Sequence, residues 1–444
     1  MTALADVPFT TVEESLARLE RAVSPHVGIV TRTVSSTSTT DETRLPNCAS
    51  ELASARRTIG APTVEYGSGA HPSPLRARAA AVGEAIERYS AMFVPFEQLL
   101  ATSARALGSA AVHPTRFALF HDSQYAQPRF AFARFTEDTQ TTFVEGIALA
   151  DGRPAYLPAE LVYLRRPPSA RRPIGYSTSS GLACAATSTE AMLTALFEVV
   201  ERDAVMLAWK CGLSLPLLDW SGDAVLDDLD RRFFRPTGVR FDVVDASVFL
   251  DVPVAIAVLH GPAGSRAALA VGAGAAADIG EAWLKAVSES FGVYRWLGRQ
   301  AASLPDRAPP EPDAITSFDD HMLFYARHEQ AALASFLVAS PERRPTAAVP
   351  ALEGSTPGAQ IDSILRRLAL RGYSAYAADV TSPDVRALGL RVARLVVPEL
   401  CALDVSHRCR FLGGPRLYSA AHEAGLRPAP LEIRDLNPLP HPFP

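Results

Sequence analysis

The sequence is poor in lysine, and arginine carries almost all of its positive charge. Lys210 and Lys285 are the only lysines among 43 basic residues. A glycine-rich phosphate loop that ends in lysine is therefore absent, and a Schiff-base mechanism has two candidates at most. The formal net charge of -5 excludes the strongly basic field that binds a nucleic-acid backbone. Nucleic acid is not an expected partner.

Cysteine pairs and long apolar runs are also missing. The five cysteines are widely spaced and form no C-x-x-C pair for zinc or redox chemistry. The first residues lack the basic and apolar regions of a signal peptide, and no run reaches the roughly 18 apolar residues that span a bilayer. We expect buried, reduced thiols, no membrane segment and a cytoplasmic location.

Apolar residues, by contrast, make up 48% of the 444 positions, enough for a large core. Helical periodicity covers 11–23, 77–93 and 189–210, and Ser188 or Thr189 can cap the last of these helices. Strand-like runs lie at 241–245, 252–259, 267–272, 376–379 and 395–397. This alternation predicts an α/β fold of the mixed α+β kind.

The connecting segments carry turn-forming residues. The stretch 31–43 is so rich in serine and threonine that it is expected to be a loop or an edge strand. Proline-rich segments at 164–173, 304–313 and 341–357 are expected to be surface loops. No long internal repeat is apparent, but a short E-x-x-E-R motif occurs twice, as EAIER at 84–88 and EVVER at 198–202.

In each copy of this motif, two glutamates lie three residues apart and therefore share one side of a helix. On an exposed helix, Glu84 with Arg88 would be an i,i+4 pair that contributes only about 0.2 to 0.5 kcal/mol. The second copy is different, because Glu198 and Glu201 lie among apolar residues, where carboxylates are costly unless cations or donors meet them. Glu190 lies on nearly the same helical face as Glu201. Carboxylates with phosphate oxygens suit Mg²⁺, so a metal–nucleotide site and a solvated charged surface both stay open at this point.

Three longer stretches resemble the signature regions of the YcaO family, in that family's order. They are GSGAHPSPLRARAAAVGEAIERYSAMF from Gly67, STSSGLACAATSTEAMLTALFEVVERDAVMLAW from Ser177 and GEAWLKAVSESFGVYRWL from Gly280. The likeness extends to FDDHMLFYA from Phe318, the DVTSPD segment from Asp379, FLGGPRLY from Phe411 and the terminal NPLPHPFP. It implies a YcaO fold with an ATP site between buried helices and a mixed sheet.

The resemblance also implies roles for individual residues. The family motif S-x-x-x-E-x-x-E-R matches Glu84, Glu87 and Arg88, and the motif E-x7-E-x-x-E matches Glu190, Glu198 and Glu201. By this resemblance Glu84, Glu87, Glu198 and Glu201 hold Mg²⁺ ions that bridge the phosphates of ATP. Glu190, Ser68 and Arg295 are further expected nucleotide contacts, and Arg88 and Arg202 are expected to steady phosphates or to orient the glutamates.

Some positions depart from the family pattern. The motif serine is Ala80 here, and the lysine often found in the early glycine-rich loop is Ser68. The glutamine of the third motif is absent from the region 289–295, where Phe291 or Gly292 would have to stand in for it. These departures affect ATP contacts rather than the expected metal ligands.

The activity that the resemblance implies is ATP-dependent cyclodehydration. A Cys, Ser or Thr side chain of a ribosomal precursor peptide attacks the preceding amide carbonyl, ATP phosphorylates the resulting oxygen, and loss of phosphate leaves a thiazoline or (methyl)oxazoline. Azoline-forming members resemble this chain in their proline-rich end, which implies that the Pro444 carboxylate positions or deprotonates the substrate. The alternatives are a thioamide-forming YcaO enzyme and a non-catalytic scaffold that binds the peptide or a partner.

The same resemblance implies partners and an internal division of the chain. We expect a separate E1-like protein that binds the leader peptide, since no such domain precedes the motifs, together with a downstream azoline dehydrogenase and a homodimer. The predicted division is an N-terminal part of the YcaO domain (1–60), a catalytic body (61–430) and a proline-rich tail (431–444) that reaches the active site.

Overall fold

The computed structural model describes residues 7–36, 43–57, 59–60, 66–167, 171–265, 267–303 and 311–444. Strands and helices alternate along these residues. The strands are β1 (Val30–Ser36), β2 (Asn47–Leu52), β3 (Tyr66–Ala70), β4 (Leu100–Thr102), β5 (Thr141–Ala148), β6 (Pro154–Pro158), β7 (Leu182–Ala185), β8 (Leu217–Asp219), β9 (Arg240–Asp245), β10 (Val254–His260), β11 (Leu269–Ala275), β12 (Arg343–Pro345), β13 (Tyr376–Asp379) and β14 (Arg391–Val396).

The α-helices differ widely in length, from a single turn to seven turns. They are α1 (Val12–Leu19), α2 (Pro74–Met92), α3 (Ala104–Leu107), α4 (Asp122–Tyr125), α5 (Ala159–Val162), α6 (Ser188–Lys210), α7 (Ala224–Leu229), α8 (Ile279–Ser303), α9 (Phe318–Phe324), α10 (His328–Ala331), α11 (Pro357–Ala369), α12 (Pro383–Ala387) and α13 (Pro415–Glu423). Within the described ranges, none of the helices combines the length and the apolar character that a membrane span requires.

The chain forms two units, and the boundary between them falls inside α6. The first unit contains 1–36, 46–199 and 353–400, and the second contains 37–45, 200–352 and 401–444. In the first unit, β1, β2 and β3 form one antiparallel sheet, and the order β4-β5-β13-β14-β7, with β6 paired to β5, forms another. In the second unit the strand order is β11-β10-β9-β8-β12, in which β12 runs parallel to β8.

These elements confirm the predicted α/β class and most of the predicted segments. The helices expected at 77–93 and 189–210 are α2 and α6, and the strands expected at 241–245, 252–259 and 267–272 are β9, β10 and β11, the last two shifted toward the C-terminus. The expected cap was wrong, because the amide of Glu190 donates to the hydroxyl of Thr187 (3.2 Å), one residue before Ser188. Residues 31–36 belong to β1, whereas 37–42, 168–170 and 304–310 of the expected loops lie outside the described residues.

Glycine determines how closely β3 packs against α2 in the first unit. A Cβ atom at Gly67 would lie 2.6 Å from the backbone nitrogen of Ala85, and one at Gly69 would lie 2.7 Å from that of Ala81. Real Cβ atoms do not approach backbone atoms so closely. The strand therefore contacts the helix backbone directly, which only glycine allows.

The second unit repeats this arrangement with other residues. Strands β9, β10 and β11 form an antiparallel series that leads into α8, as β1, β2 and β3 lead into α2. A Cβ atom at Gly272 would lie 2.5 Å from the Ala286 oxygen, and one at Gly274 would lie 2.6 Å from the Lys285 Cβ. The two units thus share a local arrangement in which three antiparallel strands precede a long helix, although the sequence shows no long repeat.

Candidate functional site

Glu84 in the first unit is held against the glycine-rich strand β3. Its Oε2 accepts a hydrogen bond from the backbone nitrogen of Ser68 (2.5 Å) and another from the Ser68 hydroxyl (3.2 Å). Arg88, one turn further along α2, forms an ion pair with Glu84 (2.6 Å) and donates to the carbonyl of Tyr66 (3.1 Å). The Glu84–Arg88 pair is half-buried. Through Ser68 and Tyr66 it connects α2 to strand β3.

Glu87 shares this region with two other carboxylates. Burial raises the pKa of Glu87 well above its ordinary value, and the charges of Glu198 on α6 and of Glu84 raise it further. The positive charges of Arg88 and Arg394 act in the opposite direction but do not balance this effect. The structure therefore brings Glu84 and Glu198 close enough to Glu87, within one unit, for their charges to act on it.

Arg394 is a buried cation beside these carboxylates that sequence analysis did not select. It is 6% exposed and donates to the carbonyls of Thr178 (2.6 Å) and Leu161 (3.2 Å) and to the Ser177 hydroxyl (3.1 Å). Burial lowers its pKa to about 10, although the charges of Glu198 and Glu87 oppose this shift. The guanidinium is thus fixed by neutral oxygens while it faces the acidic group.

Glu201 belongs to the second unit, where it is buried against the repeated glycine-rich strand. Its Oε2 accepts a hydrogen bond from the backbone nitrogen of Ala275 (3.0 Å). The neighbouring Arg202 lies 3.6 Å from Glu201 Oε1 and donates to the main-chain oxygen of Pro444 at 3.5 Å. The predicted role of Arg202 in orienting Glu201 stays a prediction.

Glu289 on α8 is a second residue that sequence analysis missed. Its Oε2 accepts from the backbone nitrogen of Ala273 at 2.6 Å. Ser68 with Glu84 and Ala273 with Glu289 are both sixteen residues apart in sequence, and both amides lie between the two glycines of a G-x-G pair. A G-x-G strand followed at this spacing by a helical glutamate is the signal that could have identified Glu289.

The remaining predicted residues lie in different settings. Both carboxylate oxygens of Glu190 are engaged in the first unit, by the Thr10 amide (2.6 Å) and hydroxyl (3.0 Å) and by the Thr187 hydroxyl (2.9 Å). Arg295 is half-buried on α8, the helix that carries Glu289. Ala80, which replaces the expected serine, is exposed on α2. The predicted nucleotide contacts of Glu190 and Arg295 stay predictions.

The C-terminal tail, defined here as 436–444, is held in the second unit through its carbonyl oxygens. Arg410 donates to the carbonyl of Asn437 (2.8 Å), Trp209 to that of Leu439 (3.2 Å) and Tyr325 to that of Pro440 (2.5 Å). Four prolines remove amide donors from this segment. Donor side chains on the body of the unit are therefore the natural partners of such a tail.

Two histidines hold the end of the tail. The rings of His321 and His441 stack with centroids 3.8 Å apart and planes within 9°. His321 Nδ1 lies 3.0 Å from the His441 carbonyl, and His441 Nε2 lies 2.7 Å from the Asp404 carbonyl. Burial lowers the pKa of both imidazoles, so both rings are neutral near pH 7. Phe443 is fully buried, which leaves only Pro444 of the last residues partly exposed.

The acidic residues fit Mg²⁺ by their chemistry. No three His, Cys, Asp or Glu side chains in the described residues are close enough to hold a metal ion by themselves. Mg²⁺ is usually held by one or two carboxylates together with substrate phosphates and water. The crowded carboxylates that raise the pKa of Glu87 are groups that a cation would stabilise in the ionised form.

A family model matches this chain over residues 66–401, and it describes a YcaO cyclodehydratase that binds ATP and Mg²⁺. The match covers more than half of the chain. The chain belongs to the YcaO family. ATP and Mg²⁺ are accordingly its cofactors, and the recognition based on the sequence motifs is confirmed.

Solved structures of YcaO proteins share the fold. A heterocyclase in complex with substrate and cofactor has a TM-score of 0.80 and 24% identity, and the match covers 99% of this chain and 59% of that one. YcaO from Methanopyrus kandleri bound with AMPPCP and Mg²⁺ has a TM-score of 0.64 and 20% identity, with 92% and 98% covered. The E. coli microcin synthetase McbBCD complex has a TM-score of 0.56 and 15% identity, with 83% and 88% covered.

The chain spans less than two thirds of the length of the heterocyclase that it matches. No curated protein matches the chain at a significant level. These matches therefore define the fold, while the reaction and its peptide are matters of proposal.

Proposed function

We propose that this YcaO protein is an ATP-dependent cyclodehydratase that converts Cys, Ser or Thr residues of a ribosomal precursor peptide to thiazoline or (methyl)oxazoline. The observation that carries the proposal is the group of Glu84, Glu87 and Glu198 beside the glycine-rich strand β3. Such a group suits Mg²⁺ with a nucleotide, and a bound cation would favour the ionised form of Glu87. The description of the matching family model, a YcaO cyclodehydratase, supports cyclodehydration as the reaction at this site.

The proposed roles of the residues follow from their contacts. Glu84, Glu87, Glu198 and Glu201 are the proposed Mg²⁺ ligands. Glu289 of the second unit contacts its glycine-rich strand as Glu84 contacts β3 in the first. Mg²⁺ would neutralise the charge that builds up on the transferring phosphoryl group. Arg88 and Arg202 keep their neighbouring glutamates oriented, and both can donate to phosphate oxygens.

The proposed reaction begins when the thiol or hydroxyl of the substrate attacks the preceding carbonyl carbon and loses its proton. The former carbonyl oxygen then attacks the γ-phosphorus of ATP, and ADP leaves. Phosphate departs from the ring carbon together with the amide proton, which leaves a C=N double bond. The balance is one water lost from the peptide, with ATP converted to ADP and phosphate.

Pro444 is the proposed proton acceptor or positioning group for the substrate nucleophile. Its support is the tail itself: carbonyl contacts and the His321–His441 stack fix the segment, and Arg202 lies beside the last residue. A carboxylate on an already ordered segment needs little further ordering to act. Arg202 would both attract this carboxylate and hold Glu201.

A separate leader-peptide-binding protein is the proposed partner. Among the structural neighbours, the microcin synthetase is a complex, which supports assembly with further proteins. An E1-like protein that presents the precursor peptide would raise activity, and an azoline dehydrogenase would act on the product. A homodimer is a further proposal.

Reconstitution tests the proposed function. The purified protein is combined with the precursor peptide, the partner, ATP and Mg²⁺, and the peptide is followed by mass spectrometry. One water is expected to be lost per modified residue, with one ADP formed for each. Formation of ADP without any loss of water from the peptide would contradict cyclodehydration.

Removal of 441–444 is expected to lower the rate of water loss from the peptide at least about 100-fold. A positioned general base commonly contributes a rate factor of about that size. The Kd of Mg²⁺–ATP is expected to change less than about twofold. A variant that lacks Pro444 alone leaves Phe443 buried and serves as the control for folding. Unchanged turnover in both variants would show that the tail takes no part in the reaction.

A further inference from the structure

A pocket in the first unit lies where two strands of its larger sheet diverge. Strands β5 and β13 pair at Ala148 with Tyr376 and at Ile147 with Ala377, and no further. Beyond that point each strand keeps its other neighbour: Glu145 pairs with Tyr156 of β6, and Asp379 with Ala393 of β14. The divergence opens a cavity of about 430 Å³, within the range of about 300–1,000 Å³ typical of small-ligand sites.

The cavity has a buried apolar floor and an exposed polar rim. Val144, Val380 and Tyr163 lie on the floor and are buried, whereas Glu145, Asp379 and Arg386 lie on the rim. Two carboxylates against one guanidinium give the rim an excess of one negative charge. Asp379 is already paired with Arg386 (2.7 Å) and accepts from the Thr381 amide (2.9 Å), so Glu145 carries that excess.

The floor also carries the polar hydroxyl of Tyr163. Tyr163 is 2% exposed, and its hydroxyl has no hydrogen-bond partner among the residues that the structure describes. Burial raises the pKa of this phenol to about 12, with a further contribution from Asp379. Because Tyr163 lines the cavity, its hydroxyl is available to donate to a ligand's carbonyl or to accept from its amide.

The pocket is joined to the helix that bears the acidic residues. The Ser90 hydroxyl donates to the Val380 carbonyl (2.7 Å) and accepts from the Ser382 amide (2.7 Å). The Tyr89 hydroxyl donates to Asp384 at 2.6 Å. Both residues directly follow Glu87 and Arg88 on α2, and Phe93 at the end of this helix lines the cavity. About six residues of helix, or about 9 Å, separate Glu87 from Phe93.

We propose that this cavity binds an extended peptide segment that carries a basic side chain, with Tyr163 contacting the peptide backbone and Glu145 the basic group. The edges of β5 and β13 are unpaired with each other beyond two positions, and strand edges suit an extended chain. The negative charge on the rim favours a cation. Peptide binding at this cavity does not depend on the proposed function. Only the interpretation of the cavity as a substrate subsite rests on that function. A peptide held here would have its neighbouring residues within reach of α2.

The test uses the full chain without nucleotide and a short fluorescein-labelled peptide of alanine and threonine with one central arginine. Fluorescence anisotropy is expected to show at least about tenfold tighter binding than for the same peptide with glutamate at that position. Tyr163→Phe is expected to weaken binding about fivefold, the effect of one neutral hydrogen bond. Glu145→Gln is expected to reduce the preference for the arginine peptide over the glutamate peptide to less than about twofold.

Glu137→Gln is the matched control. Glu137 lines another cavity of about 450 Å³ in the same unit, and its replacement is expected to leave the affinity for the arginine peptide unchanged. Equal binding of the arginine and glutamate peptides, or unchanged binding in both Tyr163→Phe and Glu145→Gln, would overturn the proposal. Competition by free arginine amide as strong as that by the peptide would overturn its peptide part.

A parallel Mg²⁺–ATP titration separates this inference from the proposed function. Loss of ATP binding with the arginine preference intact would contradict the proposed function alone. Normal ATP binding without any arginine preference would contradict the pocket alone.

Discussion

Replacement of Glu87 by glutamine is expected to lower turnover at least about 100-fold. The same replacement is expected to stabilise the ligand-free protein. The loss follows because an amide is a poor Mg²⁺ ligand and carries no charge to offset the metal–phosphate centre. The gain follows because burial and the charges of Glu198 and Glu84 disfavour ionised Glu87. Turnover with ATP and the thermal unfolding midpoint measure the two effects.

The stability effect has a defined pH dependence. The folded-state pKa of Glu87 lies above its unfolded value, so the native protein binds the extra proton and its stability falls as pH rises between the two values. Below about pH 4.3, the ordinary glutamate pKa, wild type and Glu87→Gln are expected to differ little. Their unfolding midpoints are expected to separate as pH rises through the raised pKa.

Glu160→Gln provides the control for this substitution. Burial also raises the pKa of Glu160, but its carboxylate accepts from the Thr141 hydroxyl (3.0 Å) and the Ile174 amide (3.2 Å) and lies outside the acidic group. Its replacement is expected to keep turnover within about threefold of wild type. Glu87→Gln with near wild-type turnover would rule out Glu87 as a metal ligand.

Arg416→Met is expected to destabilise the protein by about 3–5 kcal/mol, the usual cost of breaking a buried ion pair. Arg416 is 2% exposed and Asp203 is fully buried. Two guanidinium nitrogens contact the carboxylate at 2.6 and 2.8 Å, and the Cys401 amide donates to it at 2.9 Å. The substitution leaves the Asp203 charge in the core without its cation. Urea unfolding measures the change.

Arg231→Met is the matched control, because Arg231 pairs with Asp228 on an exposed helical surface. Exposed pairs contribute about 0–1 kcal/mol, so this variant is expected to unfold close to wild type. Replacement of both Asp203 and Arg416 by apolar residues is expected to recover part of the lost stability. Equal effects of Arg416→Met and Arg231→Met would contradict a buried ion pair.

The sequence predicted the long helices α2 and α6 well because their evidence is local, whereas α8, the longest helix described, was not predicted. Apolar periodicity and flanking turn residues gave α2 and α6 to within a few residues. Strand β14 was expected only at 395–397, because Arg391 and Arg394 interrupt its apolar run. Arg394 is nevertheless buried, and the oxygens that receive it come from residues more than two hundred positions away. The apolar periodicity of a segment carries no information about hydrogen-bond partners so far away in the sequence.

The same limit explains what was missed at the candidate site. The motif glutamates Glu84, Glu87 and Glu198 are brought together in one unit, as their pattern suggested, but Glu289 has no E-x-x-E-R sequence around it. Its likeness to Glu84 lies in a contact between a carboxylate and a strand amide. The donors to the tail, such as Tyr325 and Arg410, are likewise fixed by tertiary structure alone.

Substitution of the glycines of β3 and β11 is expected to affect catalysis as well as packing. These glycines are Gly67, Gly69, Gly272 and Gly274. Any side chain there would push a helix outward and draw its glutamate away from the amide that orients it. In a saturation mutagenesis survey scored by product formation, these four positions should tolerate as few replacements as the acidic residues themselves. Screens for improved or altered variants would therefore do best to leave both strands untouched.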